Sequence, residues 1–277
     1  MTPLTAKPPI GPNTKLCMSL AGRPGVFGSR FHNFLYEQLG LDFIYKAFST
    51  TDLPAAIDGV RALGVRGCAI SMPFKETVIP LLDRLDGSAV AIESVNTIVN
   101  DEDWLTGYNT DYKAIADLLD KAEIDPATPF LLRGSGGMAK AVAAALRNRG
   151  HQVGAIIARN KAAGRTLADS YAFSYAADET ERSAPLIINA TPLGMAGADA
   201  DKLSFREEIV EKAEFVFDVV ASPTETPLIQ AAARRGKRLI SGGEVAVLQA
   251  LEQFVLYTAI RPNPDLVNDA ADYAKLG

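Results

Sequence analysis

The sequence predicts an α/β protein of two domains, and three observations carry that reading. A length of 277 residues corresponds to about two ordinary domains, each large enough to bury its own core. From Thr128 onward, short apolar β-rich runs alternate with helix-like stretches, which is a βαβ series and therefore a parallel sheet. The first half alternates in the same way, and a composition of 48% hydrophobic and 22% charged residues excludes a disordered chain.

In order along the chain, strands are expected at 15–20, 43–48, 67–71 and 95–100, with helical patterns between them. Over 52–63, Asp52 serves as the cap, and Leu53, Ile57, Val60 and Leu63 form an apolar stripe that packs on the first sheet. A break at 107–111, followed by the turn-rich run 124–129, places the domain boundary near 111. The second series has strands at 130–132, 155–158, 186–188, 215–220 and 239–240. A long helical pattern over 244–258 carries Val245, Leu248, Leu251, Val255 and Leu256, and a last helix follows Pro264. These tail helices, 244–277, are expected to return to the first domain, leaving 111–243 as the second.

Composition excludes several function classes. Cys17, Cys68, His32 and His151 are the whole stock of cysteine and histidine, too few for a thiolate zinc site or a secreted disulfide framework. No metal is expected, and a reducing cytoplasmic setting is. Residues 1–15 read as neither signal nor transit peptide, and no apolar run reaches the 18 residues of a membrane span. A net charge of -5 and a pI near 5.2 argue against a nucleic-acid partner.

One segment carries a specific signal. Gly134, Ser135, Gly136, Gly137, Met138 and Ala139 follow the strand at 130–132 and open the alanine-rich helix at 139–147. Glycines there let a pyrophosphate approach the backbone at a helix N-terminus, so 111–243 reads as a Rossmann-type dinucleotide-binding domain with a parallel sheet. A plain strand-to-helix turn is the competing reading. Between Pro126 and Ala168 there is no acid, while Arg133, Lys140, Arg147, Arg149, Arg159, Lys161 and Arg165 all fall there. Arg159 and Lys161 stand about 20 residues past the glycines, where an NAD enzyme places an acid against the ribose; cations there favour NADP. A methyltransferase reading of the loop fits less well, since its ribose also prefers an acid.

In the first half, Lys75 follows Ser71-Met72-Pro73-Phe74 near a strand's carboxyl end, where α/β sheets keep ligands. Asn96-Thr97 and Asn109-Thr110-Asp111 end two further strand-like runs, and short polar side chains in such places suit a polyol. A lysine of this kind is, on these grounds alone, most often a solvated surface charge.

These motifs, with Asn189-Ala190-Thr191-Pro192, Gly194-Met195 and Asp218-Val219-Val220, occur in the order found in the shikimate dehydrogenase family. The chain resembles that family, and is most similar to its shikimate dehydrogenase-like branch. The resemblance implies a substrate-binding domain over 1–110, an NADP domain over 111–243 and a cleft between them. It also implies catalysis by Lys75 and Asp111, substrate contacts from Ser71, Asn96 and Gln249, and places near the cofactor for Thr191 and Gly243. The activity implied is hydride transfer between nicotinamide and a ring hydroxyl of shikimate, quinate or a related cyclic polyol or hydroxy acid. A monomer or homodimer serving aromatic amino acid biosynthesis goes with it.

The chain departs from the family where the substrate carboxylate is held. Two serine places fall on Val26 and Gly28, the tyrosine place on Ala221, and an asparagine place on Ala69. Ser29, Arg30 and Ser222 stand near enough in sequence to substitute. At the NADP end a second arginine place falls on Ala163, with Lys161 and Arg165 beside it. Poor activity on shikimate itself is therefore expected. A metabolite-sensing or regulatory protein on the same fold is the alternative, and retention of both Lys75 and Asp111 argues for the enzyme.

Overall fold

The computed structural model describes residues 6–179 and 182–276. The start of the segment read as carrying no leader, residues 1–5, lies outside them. The chain forms two compact units, one of residues up to Thr110 with those from Val247 on, the other Asp111–Ala246.

The first unit runs β1 (Lys15–Ala21), α1 (Phe27–Gln38), β2 (Phe43–Ser49), α2 (Leu53–Ala62), β3 (Gly67–Ile70), β4 (Arg84–Leu85), α3 (Gly87–Val90), β5 (Thr97–Asp101) and β6 (Trp104–Tyr108). Its sheet has the order β2-β1-β3-β5-β6-β4, parallel from β2 to β3 and antiparallel across β3-β5-β6. Asp52 caps α2 by accepting from Ala55 N at 3.1 Å, and Leu53, Ile57 and Val60 bury against Met18, Leu20, Cys68 and Ile70. Each such side chain contributes roughly 1.5–3 kcal/mol. Leu63 departs from expectation, being 79% exposed. The helix ends one residue earlier, Gly64 turns the chain at φ +60°, and Val65 takes the core position instead.

The second unit begins with α4 (Thr110–Lys121), whose first residue still belongs to the first, and continues β7 (Phe130–Arg133), α5 (Gly137–Asn148), β8 (Gly154–Ile157), α6 (Lys161–Ser170) and β9 (Ser174–Ala176). It then runs β10 (Leu186–Asn189), α7 (Glu207–Lys212), β11 (Phe215–Asp218), α8 (Pro227–Ala233), β12 (Arg238–Ser241) and the start of α9 (Gly242–Thr258). Helix α10 (Pro264–Lys275) closes the chain in the first unit and packs on α1. The second sheet is parallel throughout, in the order β12-β11-β10-β7-β8-β9. Counted from its own first strand this is 3-2-1-4-5-6, the doubly wound Rossmann order.

Several boundaries differ from the sequence reading by one or two residues. Strand β5 starts at Thr97 rather than 95, helix α5 starts at Gly137, and α9 starts at Gly242. The break at 107–111 is no loop: β6 ends at Tyr108, α4 starts at Thr110, and Asn109 alone joins them.

Candidate active site

The strand order of the second sheet reverses between β7 and β10, and the glycine segment leaves β7 at that switch point, where doubly wound folds bind ligands. Gly134 has φ +130°, and a Cβ on it would lie 2.7 Å from the carbonyl oxygen of Ala190 at the end of β10. Its glycine is required by the protein itself. Gly136 and Gly137 are different. Gly136 caps α5 in extended backbone that any residue adopts, and a Cβ on either glycine would meet nothing within 4 Å. Neither torsion angle nor packing explains them, whereas close approach of a ligand to the backbone does. Just past them, the N-H groups of Gly137, Met138 and Ala139 have no acceptor within the helix, and the first turn holds no acid. Ser135 is half-buried beside them, and Ala139 is fully buried, which seats α5 close to the sheet. The arrangement fits a diphosphate.

Of the basic residues counted in this segment, the structure engages three elsewhere. Arg133 pairs with Glu179 and lies 5.0 Å from the Phe205 ring centroid. Arg149 pairs with Asp120, and Arg165 lies over Tyr175. Arg159 and Lys161 follow β8, are exposed, and make no side-chain hydrogen bond or ion pair among the described residues. Asn160 between them caps α6 by accepting from Ala163 N at 3.1 Å. Lys140 and Arg147 lie along α5, so the residues that follow β8, where the sequence reading places the 2'-phosphate, are Arg159 and Lys161.

Thr191 and Gly243 occupy structural positions. Thr191 Oγ1 donates to Asn189 Oδ1 at 2.6 Å and its backbone N donates to the same oxygen, which makes it a turn former. Gly243 is the second residue of α9, and a Cβ on it would lie 2.5 Å from Thr224 Cγ2. Beneath them Asp218 is fully buried and accepts from Thr226 Oγ1 at 2.6 Å, Asn189 Nδ2 at 2.9 Å and Val220 N at 3.1 Å. Sequence reading took Asp218 only as part of a motif; its role as a hub depends on Thr226, eight residues on.

Burial raises the Asp218 carboxyl to about 6, against the lowering effect of those three donors. The folded protein therefore holds this proton more tightly than the unfolded chain, whose aspartates titrate near 3.9. Ionisation costs the fold about 3 kcal/mol above the folded pKa, and the cost is relieved as pH falls from about 6 towards 4. Melting measured from pH 7.5 to 5 is expected to show a stability gain that Asp218→Asn abolishes; an identical slope in both proteins refutes the assignment.

In the first unit, Ser71 is exposed just past β3, and Lys75 is half-buried in the turn that follows the cis Met72-Pro73 bond. The turn is tied down by Gly22 N to Met72 O at 2.9 Å and by Val95 N to Lys75 O at 2.8 Å. Lys75 and Asn96 are thus held by adjacent backbone. Asn96 is 2% exposed and bonds to Thr97, Thr110 and Gln249, with Gln253 reaching its carbonyl. Thr110 leads directly into Asp111, buried in the first turn of α4. Thr97 and Thr110 belong to the two polar runs read from the sequence, whereas Gln253 does not; the signal that could have found it is its spacing of four from Gln249 on one helix. Asn109 is tied into the fold, its side-chain nitrogen donating to the buried carbonyl of Ser94 at 2.9 Å.

The places expected to lack hydroxyls are equally specific. Val26 is 52% exposed and sits at the cap position of α1 without a side-chain cap bond. A Cβ on Gly28 would lie 3.4 Å from the Tyr45 hydroxyl. Ser29 and Arg30 line a cavity of about 400 Å³ with Asn33, Phe34, Glu37 and Tyr273, on a different face of α1 from the buried His32. Ala221 and Ser222 are exposed after β11. His32 stacks on Tyr45 at 4.5 Å, and burial pushes its imidazole down to about 3; burial also lowers His151. Cys17 and Cys68 are free and buried, and no group of metal ligands occurs among the described residues. No helix among them is long and apolar enough to cross a membrane.

Comparison with known proteins bears on this geometry. Residues 26–98 match a family model described as the shikimate dehydrogenase substrate binding domain. The chain is 52% identical over 267 residues to a shikimate dehydrogenase-like protein of Haemophilus influenzae, covering 96% of this chain and 98% of that one. A solved shikimate 5-dehydrogenase-like protein matches with a TM-score of 0.94 at 52% identity, covering 96% and 99% of the two chains. Shikimate 5-dehydrogenase from Thermus thermophilus, solved with NADP(H) and shikimate, matches with a TM-score of 0.83 at 30% identity over 94% and 99%.

Proposed function

The chain belongs to the shikimate dehydrogenase family, and from that premise we propose that it is an NADP-dependent oxidoreductase acting on a ring hydroxyl of a cyclic polyol or hydroxy acid. The observation that carries the cofactor is the pair Gly136 and Gly137, glycines that the protein's own packing does not require. NADP, when bound, supplies the hydride acceptor. The backbone N-H groups at the start of α5 hold its diphosphate, and Arg159 and Lys161 meet its 2'-phosphate.

Alcohol oxidation also needs a group that takes the hydroxyl proton, and reduction needs the same group to return it. Lys75 does both, at the substrate oxygen. Asp111 orients the alcohol by accepting from a neighbouring hydroxyl, and Ser71 and Gln249 contact the ring. Asn96 serves mainly by ordering these groups, since its own amide is occupied by Thr97, Thr110 and Gln249.

Recognition differs from that of a shikimate enzyme. Val26, Gly28 and Ala221 offer no hydroxyl, and a hydrogen bond to a charged group contributes about 1.5–3 kcal/mol. Three such losses place shikimate orders of magnitude below a well-fitted substrate. NADP reduction across a panel of cyclic alcohols, with and without carboxylates, tests the proposal. A ring alcohol other than shikimate is expected to give a kcat/KM at least 100-fold higher. Micromolar KM and ordinary turnover on shikimate refute the altered recognition, and inactivity on every alcohol refutes the oxidoreductase. Arg159→Ala is expected to erode a preference for NADP over NAD by at least tenfold, read as the ratio of the two dissociation constants. Equal constants in the unmutated protein refute it.

A further inference from the structure

Around Asn96 the hydrogen-bond chain can be followed atom by atom. The Thr110 backbone N-H, which can only donate, reaches Asn96 Oδ1 at 2.8 Å and so fixes which end of that amide is oxygen. Thr97 Oγ1 donates to the same oxygen at 2.8 Å. Asn96 Nδ2 is then left for Gln249 Oε1 at 3.4 Å and for Thr110 Oγ1 at 3.1 Å, a hydroxyl that also lies 3.2 Å from Asn96 Oδ1. Having used its proton on Asn96, Thr97 is an acceptor for Gln253, whose Nε2 reaches it at 3.0 Å and the Asn96 carbonyl at 3.3 Å.

Gln253, Thr97 and Asn96 are buried, at 4%, 0% and 2% exposure, while Gln249 at the end of the chain is half-buried. Because Gln249 receives at Oε1, its Nε2 is left as a donor with no protein partner among the described residues. We propose that Gln253 is a positioning residue: through Thr97 and Asn96 it holds the Gln249 amide with its nitrogen outward. The site then selects a ring ligand bearing an acceptor oxygen, hydroxyl or carbonyl, at that position. The ligand half of this inference rests on the ring-alcohol reading given above; the polarity of the chain does not.

The test compares the intact protein with Gln253→Met and Gln249→Glu. Methionine keeps the volume and removes the donor, and the Asn96 carbonyl still accepts from Ile70 N at 2.8 Å, so no buried carbonyl is orphaned. Gln253→Met is expected to raise KM for the best ring alcohol about tenfold, with kcat within about threefold and the NADP dissociation constant unchanged. Gln249→Glu keeps the acceptor for Asn96 and replaces the outward donor by a carboxylate, so its KM rises at least as much.

In ligand-free protein, 1H-15N spectra of the side-chain amides supply a readout independent of turnover. Gln253→Met is expected to shift the NH2 signals of Asn96 and Gln249. Unchanged signals with an unchanged KM overturn the proposal, as do equal losses in kcat and NADP affinity, which mark a general structural role. Should Gln253→Met not fold, an unchanged KM in Gln249→Glu overturns it. Shifted signals in a protein that oxidises no ring alcohol uphold the positioning and count against the oxidoreductase reading alone.

Discussion

Lys75→Ala is expected to lower kcat by three orders of magnitude or more while leaving the NADP dissociation constant where it was. General acid-base groups contribute typically 10²- to 10⁴-fold, and no other group is assigned to move the hydroxyl proton. The cofactor constant should hold because the glycine segment belongs to the other unit. The turn should also persist, since the bond that ties it to Val95 comes from the Lys75 backbone carbonyl, which alanine keeps. Single-turnover kinetics with NADP titrated by calorimetry separates the two quantities. A variant that turns over at even a tenth of the normal rate removes Lys75 from the chemistry.

The second large effect contrasts two glycines two residues apart. Gly136→Val puts a branched side chain into space that is open in the protein, so the fold should tolerate it at about 1 kcal/mol or less. NADP affinity should fall at least 100-fold, because the same side chain stands where the diphosphate approaches. Gly134→Ala should do the reverse in stability. Its Cβ meets the Ala190 carbonyl at 2.7 Å from a backbone at φ +130°, which should cost several kcal/mol and lower the melting temperature by ten degrees or more. Equal melting temperatures for the two variants, or normal NADP binding by Gly136→Val, undo the distinction between a glycine kept for packing and one kept for a ligand.

How much of this was legible in the sequence depends on the range of each interaction. The second unit reads well because its information is local: an apolar run, a glycine turn and an alanine helix lie within 20 residues and leave one arrangement open. Asp52 as a cap was readable for the same reason, since donor and acceptor are three residues apart. Leu63 failed because periodicity says where a stripe continues but not where a helix stops. The engagement of Arg133 was hidden because Glu179 lies 46 residues away and meets it only through the sheet. Gln253 shares a helix with Gln249, yet its partners Asn96 and Thr97 are more than 150 residues distant. Spacing placed it on a face and could not say what that face would touch.

The state of the two histidines has a consequence for assigning ionisations. His32 is buried in an aromatic stack and held neutral to about pH 3, and His151 is buried too, with its basicity lowered. Both lie out of reach of acylating reagents that attack exposed imidazole. The chain contains no other histidine. No histidine is therefore expected to have its midpoint above the usual imidazole value of about 6.5. An inflection above that value in a rate profile would have to be sought among amines and carboxyls, while one nearer 6 that tracks melting and is removed by Asp218→Asn would belong to Asp218. In this molecule, the pH axis itself discriminates between chemistry and folding.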